Sequence, residues 1–335
     1  MRPLALLALA GLVALAARIH RIDLPLERDE GEYAYIAQLL LDHVPLYREA
    51  FTMKLPGVPL LDAVAFAAMG ETVRAIHVGA LVADLVSAVG IALFVRRTVR
   101  NAERARVAAL GAAAIFLVVS ATMFVEGYAA NCEKYAVAFE MFALNVLVLV
   151  VDREVARARD LAWVASAGLA LGCAILCKQQ AAPFAVAVAV AALALHRGSL
   201  AWRALFGIVC ALVAGAPLAL VVAVVRASGS FDAFWFQTVT YASTYLHSSP
   251  HPLGFLGEAA SSSLWAPIAV AGAAAIPAAL FLHASARPAR AWLLALAAAG
   301  VVSASLDLLF RPHYVVFLLP ALAISAALCA ARFTV

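Results

Sequence analysis

Charge is what this sequence holds least of: 13% of its 335 residues are Asp, Glu, Lys or Arg, against 66% hydrophobic. A soluble domain cannot bury that much apolar surface, so lipid must cover most of a chain whose mean hydropathy is +0.97. The formal charge of +4 is small and dispersed, which gives no support for a nucleic-acid partner. Cysteine is sparse and scattered. Cys173, Cys177, Cys210 and Cys329 lie inside apolar stretches and Cys132 near a predicted interface, so neither a disulfide framework nor a metal site is expected. Lysine is rarer still: Lys54, Lys134 and Lys178 are the only three among 24 basic residues.

Long apolar runs are what the chain has instead. About 20 such residues cross the hydrocarbon core as a helix. Spans are predicted near 3–19, 73–95, 107–125, 136–151, 161–177, 181–196, 204–225, 264–283, 291–309 and 313–331. The expected fold class is therefore all-α: a polytopic membrane protein of about ten transmembrane helices, in one domain covering 1–335. Segment 57–69 is too short to span and reads as interfacial or re-entrant. The Arg18-Ile19-His20-Arg21 sequence is a poor leader-cleavage site, so the first span is expected to remain.

Arginines set the orientation. Arg96, Arg97, Arg100, Arg104 and Arg106 fill one loop, and Arg153, Arg157 and Arg159 another; Arg197 with Arg203, and Arg287 with Arg290, mark two more. All fall on one side if the N-terminus is cytoplasmic. The 18–72 loop then lies outside despite Arg18, Arg21, Arg28, Arg48 and Lys54; it also carries many carboxylates, and long loops obey the rule weakly. All three lysines fall at this outer face, either by chance or as compact point charges for a phosphate.

The outer face gathers several polar patches. Glu27-Arg28-Asp29-Glu30-Gly31-Glu32-Tyr33 packs four carboxylates into six residues beside a membrane. Asp29 reads either as a helix N-cap closed by Glu32 or as a general base whose pKa its surroundings adjust, with Glu30 orienting it or binding the acceptor. Glu27 and Glu32 read as solvated. The helix that follows places Tyr33, Ile36, Ala37 and Leu40 on one stripe and is expected at the interface. Pro56 and Gly57 set Lys54 on a defined corner, as a snorkelling cation or a phosphate contact. Glu133 opens a span, where a carboxylate suits the helix start. Lys178-Gln179-Gln180 joins two short apolar segments in a tight hairpin. Arg311 can fork onto phosphate oxygens or anchor the interface, with Tyr314 in an aromatic belt. The aromatics of 231–245 sit in the longest late outer loop, as a belt or as a grip on sugar or prenyl chain. Gly168 and Gly172 form a small-xxx-small pair suited to internal helix packing.

The order of these motifs resembles the family 39 side of the C-type glycosyltransferases, which holds protein O-mannosyltransferases and lipid A aminoarabinose transferases. Nearest is the bacterial branch called dolichyl-phosphate-mannose-protein mannosyltransferase-like. The residues that carry the resemblance are Arg28-Asp29-Glu30-Gly31-Glu32-Tyr33, Lys54-Leu55-Pro56-Gly57, Ala130-Asn131-Cys132-Glu133, Lys178-Gln179-Gln180, and Pro312-His313-Tyr314 with Pro320. It implies packed transmembrane helices with interfacial helices in the first outer loop. It also implies inverting transfer of a sugar from a polyprenyl-phosphate carrier to a lipid, glycan or protein acceptor, on the extracytoplasmic face of the cytoplasmic membrane. No cofactor or metal is implied. By the resemblance, Asp29 is the catalytic aspartate and Glu30 its acidic partner, Lys54 attends the donor phosphate, Glu133 matches an acid of the second outer loop, and His313 and Tyr314 match a pair near the donor. The charge that develops on a leaving phosphate adds Arg311 or Lys178 beside Lys54 as candidate phosphate contacts, and Tyr33 and Glu133 join His313 and Tyr314 as candidate substrate-binding residues. Met53 stands where the aminoarabinose branch usually has an acid, which argues against that sugar. Relatives often continue beyond the point matching Val335, so a short or incomplete member is expected.

The rival class is a secondary transporter or lipid flippase, with Asp62, Asp84 and Asp307 as buried acids. The lack of an internal repeat and the one-sided clustering of charge argue against it, and Asp84 and Asp307 read instead as pairing between helices.

Overall fold

Among the described residues, four helices are long and apolar enough to cross a membrane by length and composition: Val73–Thr98, Cys132–Val151, Ala158–Cys177 and Leu200–Ala227. The computed structural model describes residues 2–151, 153, 157–248, 276, 287–306 and 311–334. In chain order the helices are α1 (Arg2–His20), α2 (Arg28–Leu41), α3 (Gly57–Met69), α4 (Val73–Thr98), α5 (Ala102–Val119), α6 (Cys132–Val151), α7 (Ala158–Cys177), α8 (Ala182–Leu195) and α9 (Leu200–Ala227). They continue with α10 (Phe231–Trp235), α11 (Ala242–Ser248), α12 (Arg287–Ser305) and α13 (Leu319–Thr334). No strand occurs among the described residues, so the all-α expectation holds.

The centre is α6, nearly every residue of which is buried. It packs on α4, α7 and α8; α5 joins α4 to α1 and α13 on one flank, and α9 lies along α7 on the other. Small residues permit these approaches. A Cβ at Gly90 would come within 2.7 Å of Met141 Cβ, and one at Gly168 or Gly172 would overlap the carbonyls of Cys210 or Ala214 on α9. The glycine pair thus serves internal contact, as its spacing suggested. Asn145, buried on α6, donates to the Gly90 and Met141 carbonyls at 2.8 Å each, tying α6 to α4.

Some expected boundaries move. The span predicted at 107–125 is α5, which starts and ends earlier. Asn101 caps it by accepting from the Arg104 N–H at 2.9 Å, and beyond Ser120 the chain turns into a short 3₁₀ segment, Met123–Val125. Hydropathy alone had placed this span too far along, because the arginines of its first turns count against membrane burial. The aromatic stretch predicted as a loop is helical: α10, a π-helical turn at Phe236–Tyr241, then α11. The break predicted at Lys178 is present, with Lys178 extended (φ −152°, ψ 121°) between α7 and a 3₁₀ turn at Gln179–Ala181, but α8 then packs chiefly on α12 rather than back along α7 as a tight hairpin would. The predicted span 264–283 and Asp307 lie outside the described residues, apart from Ile276.

Candidate active site

The start of α2 fixes the site. Glu27, in extended backbone, is the N-cap: its Oε2 accepts from the Asp29 N–H at 2.8 Å, and Glu30 Oε2 accepts from the Glu27 N–H at 2.7 Å. This reciprocal box satisfies two donors that a helix start otherwise leaves open. It corrects the reading of Asp29 as a cap closed by Glu32. With Glu27 two residues earlier in that role, the Asp29 carboxylate is released for a cation.

That cation is Lys54. Its Nζ donates to Asp29 Oδ2 at 2.8 Å, while Arg28 Nε donates to Oδ1 at 3.2 Å. The Asp29 side chain keeps 19% exposure. Burial acts to raise its pKa, but the Lys54 ammonium and its hydrogen bond, with Arg28, outweigh burial and hold the carboxyl below the ordinary 3.8. Lys54 also lies 3.5 Å from Glu32 Oε2 and 4.5 Å from the centre of the Tyr33 ring.

The Lys54 corner is built by short-range bonds. The Lys54 N–H donates to Thr52 Oγ1 at 3.1 Å, the Thr52 hydroxyl donates to Glu32 Oε1 at 2.6 Å, and the Tyr47 hydroxyl donates to the Lys54 carbonyl at 3.1 Å. Glu27 and Glu32 are therefore not simply solvated; one caps and the other braces. Gln237, from the π-helical turn, accepts from the Thr52 N–H at 2.9 Å and donates to the Tyr47 carbonyl at 3.2 Å. The aromatics of this region clasp the same loop, Phe234 edge-on to Tyr47 and Tyr241 edge-on to Phe51. Gly57 then sits against the backbone of Leu176 and Cys177, where any Cβ would overlap. That contact docks the Lys54 corner on the end of α7, beside Lys178, and Gln179 Nε2 donates across to the Met53 carbonyl at 3.3 Å.

Lys178 forms a second pair of the same kind. Its Nζ lies 2.9 Å from Glu133 Oε1 and 4.9 Å from the centre of the Tyr314 ring. Burial acts to lower its pKa, but Glu133 outweighs this and lifts it above the usual lysine value. Glu133, in the first turn of α6, is 1% exposed. The two pairs are joined through Tyr33, whose hydroxyl accepts from Cys132 Sγ at 2.9 Å, next in the chain to Glu133. His313 packs edge-on to Tyr314 and its Nδ1 lies 2.6 Å from Glu126 Oε2. Arg311 is exposed and its side chain has no partner among the described residues; its carbonyl accepts from the Tyr314 N–H at 3.0 Å.

Glu30 behaves differently from Asp29. It is 1% exposed, and its oxygens are taken by the Glu27 N–H, the Ala130 N–H at 2.5 Å and His77 Nε2 at 3.0 Å. Burial acts to raise its pKa, and these bonds more than offset it, lowering the value below 4.5. Glu30 is the strut that ties α2 to α4 and to the start of α6. Sequence reasoning missed His77, although an ionisable residue inside an apolar helix is itself a signal. It also missed Thr52 and Gln237, whose roles depend on contacts across the chain. Lys134 reaches the same end of the bundle but faces away from Asp29, donating to the Gly127 carbonyl at 2.9 Å and lying 3.5 Å from Asp84. Asp84 also accepts from Arg18 Nε at 3.0 Å, so it does pair between helices.

The fold that carries this site is a known one. The family model described as dolichyl-phosphate-mannose-protein mannosyltransferase matches residues 53–228, just over half the chain and inclusive of Lys54, Glu133 and Lys178. The structure of ArnT from Cupriavidus metallidurans bound to undecaprenyl phosphate superposes with a TM-score of 0.66 at 20% identity, covering 98% of this chain and 60% of that one. The apo oligosaccharyltransferase of Archaeoglobus fulgidus gives 0.63 at 15% identity, over 98% of this chain and 50% of that one. AglB from Archaeoglobus fulgidus, in complex with an inhibitory peptide and a dolichol-phosphate, gives 0.59 at 16% identity, over 99% and 50%. The chain thus spans between half and three-fifths of the length of these proteins, and at such identities the likeness establishes the fold. No curated protein sequence matches it at a significant level. By the family match and the fold together, the chain belongs to the dolichyl-phosphate-mannose-protein mannosyltransferase family and has the architecture of the C-type glycosyltransferases.

Proposed function

We propose that the protein transfers a sugar from a polyprenyl-phosphate carrier to an acceptor at the extracytoplasmic face of the cytoplasmic membrane, with Asp29 as general base. The observation that carries this reading is the meeting of Asp29–Lys54 with Glu133–Lys178 across Tyr33 and Cys132. An ionised, partly exposed carboxylate stands beside the Lys54 ammonium, and a second ammonium, Lys178, is reached through Tyr33 and the Cys132–Glu133 turn at the same end of an apolar bundle. That suits a reaction in which a nucleophile loses a proton while a phosphate gains charge.

In the proposed step the acceptor hydroxyl or amine gives its proton to Asp29 and attacks the sugar C1. The bond from C1 to the phosphate oxygen breaks on the opposite face, so configuration inverts. The phosphate stays on the prenyl chain and goes from a diester with one negative charge to a monoester with a second. Lys54 and Lys178 face that growing charge, and Lys54 shifts hydrogen bonding from Asp29 toward the phosphate as Asp29 takes up the proton. Glu30 holds Asp29 in place through the α2 cap. Arg311 is assigned to the phosphate and His313 to the substrate surface, while Tyr33, Glu133 and Tyr314, all buried, back the two lysines from behind. The family match and the phosphate-carrier complexes of its structural neighbours support a lipid-linked donor. The lysine and arginine distribution supports the orientation.

The test is transfer from labelled undecaprenyl-phosphate sugars in proteoliposomes. Asp29→Asn is expected to cut turnover by about 10²–10⁴-fold while donor binding persists. Normal turnover by Asp29→Asn overturns the base assignment. Carrier-independent movement of a solute by the wild type, without transfer, overturns the enzyme reading in favour of a transporter.

A further inference from the structure

On the far side of Glu30 from Asp29 lies a second polar cavity, between α1, α4, the turn after α5 and the start of α6. It is a small cavity of about 30 Å³, partly open to solvent. Arg18, Arg21, Lys134 and Asp84 line it, with His77 at one wall and Tyr128 at another. We propose that this cavity is a phosphate-binding site, separate from the Asp29 pocket, for a phosphate group that carries its own O–H donor.

Charge is the first argument. Arg18, Arg21 and Lys134 bring three positive charges to the cavity, and Asp84 is the only carboxylate among its described lining residues. His77 is balanced locally. Its Nδ1 lies 2.8 Å from the Ile22 carbonyl, which only accepts, so Nδ1 bears a hydrogen; Nε2 faces Glu30 at 3.0 Å and shares a proton with it. The lining is left with two positive charges in excess (three cations less one carboxylate). Uncompensated charge at the edge of a bilayer is costly, and an anion relieves it.

Hydrogen-bonding capacity is the second argument, and it selects the anion. Arg18 is committed: it donates to Asp84, to the Leu117 carbonyl at 2.6 Å and to Ser120 Oγ at 2.6 Å. Arg21 makes one bond, from NH1 to the Ala121 carbonyl at 3.1 Å, so the rest of its fork has no partner among the described residues. Lys134 has donor capacity beyond Gly127 and Asp84. These groups call for anionic oxygens, and a guanidinium fork fits phosphate. Asp84 calls for the opposite: its Oδ2 meets Arg18, but its Oδ1 is buried with no partner among the described residues. A ligand that presents anionic oxygens to Arg21 and Lys134 and an O–H to Asp84 satisfies both. Inorganic phosphate does so through a P–OH, and phosphatidylglycerol through a glycerol hydroxyl. Sulfate has no such donor at neutral pH.

The test uses the purified full chain in maltoside micelles, with thermal unfolding and binding isotherms as readouts. Inorganic phosphate, phosphatidylglycerol and sulfate are titrated at matched ionic strength. Phosphate-bearing ligands are expected to stabilise the protein and to bind at least about tenfold tighter than sulfate, because a site built for an O–H donor rejects the analogue that lacks it. Stabilisation by phosphatidylglycerol alone identifies a lipid headgroup as the source; stabilisation by inorganic phosphate as well identifies a site open to free phosphate. Arg21→Gln should weaken binding about tenfold by removing a charge-assisted bond. Leu81→Trp, which fills the cavity without touching its charges, should remove binding even if Arg21→Gln folds poorly. Lys54→Ala, which alters the separate donor-phosphate site, should leave the Arg21-dependent part of the binding unchanged. Equal binding of sulfate and phosphate, no binding in either arm, or loss of binding in Lys54→Ala but not in Arg21→Gln or Leu81→Trp would overturn the proposal.

Discussion

The two acid–lysine pairs of the candidate site are built alike and placed differently. In each, a lysine nitrogen lies 2.8 or 2.9 Å from a carboxylate oxygen and within 5 Å of a tyrosine ring centre. Asp29 keeps 19% of its side chain exposed, whereas Glu133 keeps 1%. The difference separates what can react from what can only hold. A buried ion pair is strongly destabilised when one partner is removed, so Glu133 cannot trade its proton state or partner at low cost. Asp29, reached by solvent and balanced between Lys54 and Arg28, can.

The largest effect expected from this contrast is on turnover. Asp29→Asn should lower kcat by about 10²–10⁴-fold, the usual contribution of a general base, measured in the proteoliposome transfer assay with folding unchanged. The mirror substitution tests the other pair. Lys178→Met leaves Glu133 buried without its cation and should cost about 3–5 kcal/mol of stability. The double variant Glu133→Gln/Lys178→Met should recover most of that loss in thermal unfolding. If Lys178→Met is as stable as wild type, the buried pair has been misread.

A smaller effect concerns pH. The Asp29 carboxyl is held below 3.8, so the base stays ionised as pH falls and is lost only below that value. The acid limb of kcat/KM should therefore lie under 3.8 in the wild type. In Lys54→Met the largest opposing influence on burial is gone, and the limb should move to higher pH. Smallest of all, Gln237→Ala should destabilise by about 1–3 kcal/mol, because it strands the Thr52 N–H and the Tyr47 carbonyl. It should raise the donor KM more than it lowers kcat, since it loosens the Lys54 corner and leaves Asp29 in place.

Much of this site was legible in the sequence because polar residues stand out against apolar runs. Asp29, Lys54, Glu133, Lys178 and Tyr314 all interrupt or border hydrophobic segments, and all meet in the fold. The remainder depended on partners that spacing cannot reveal. Whether Glu27 or Asp29 caps α2 is decided by a shift of two residues within an acidic run, where composition is the same for both. Lys134 looked equivalent to the other lysines, yet its position on α6 turns it toward Asp84, whose partner Arg18 comes from the first helix. Gln237 was hidden among aromatics read as a loop, because a π-helical turn has no distinct sequence pattern. The limits of α5 were misplaced because its arginines lowered the hydropathy of residues that are nonetheless helical.

The central claim is that Lys54 and Lys178, from distant parts of the chain, act on one donor phosphate. A double-mutant cycle on donor affinity tests it most directly, with Lys54→Met on one side and the charge-neutral double variant Glu133→Gln/Lys178→Met on the other. Groups that share a ligand atom couple, so the combined loss should depart from the product of the separate losses by about threefold or more. Losses that multiply cleanly would place the two lysines in independent crevices and contradict the account.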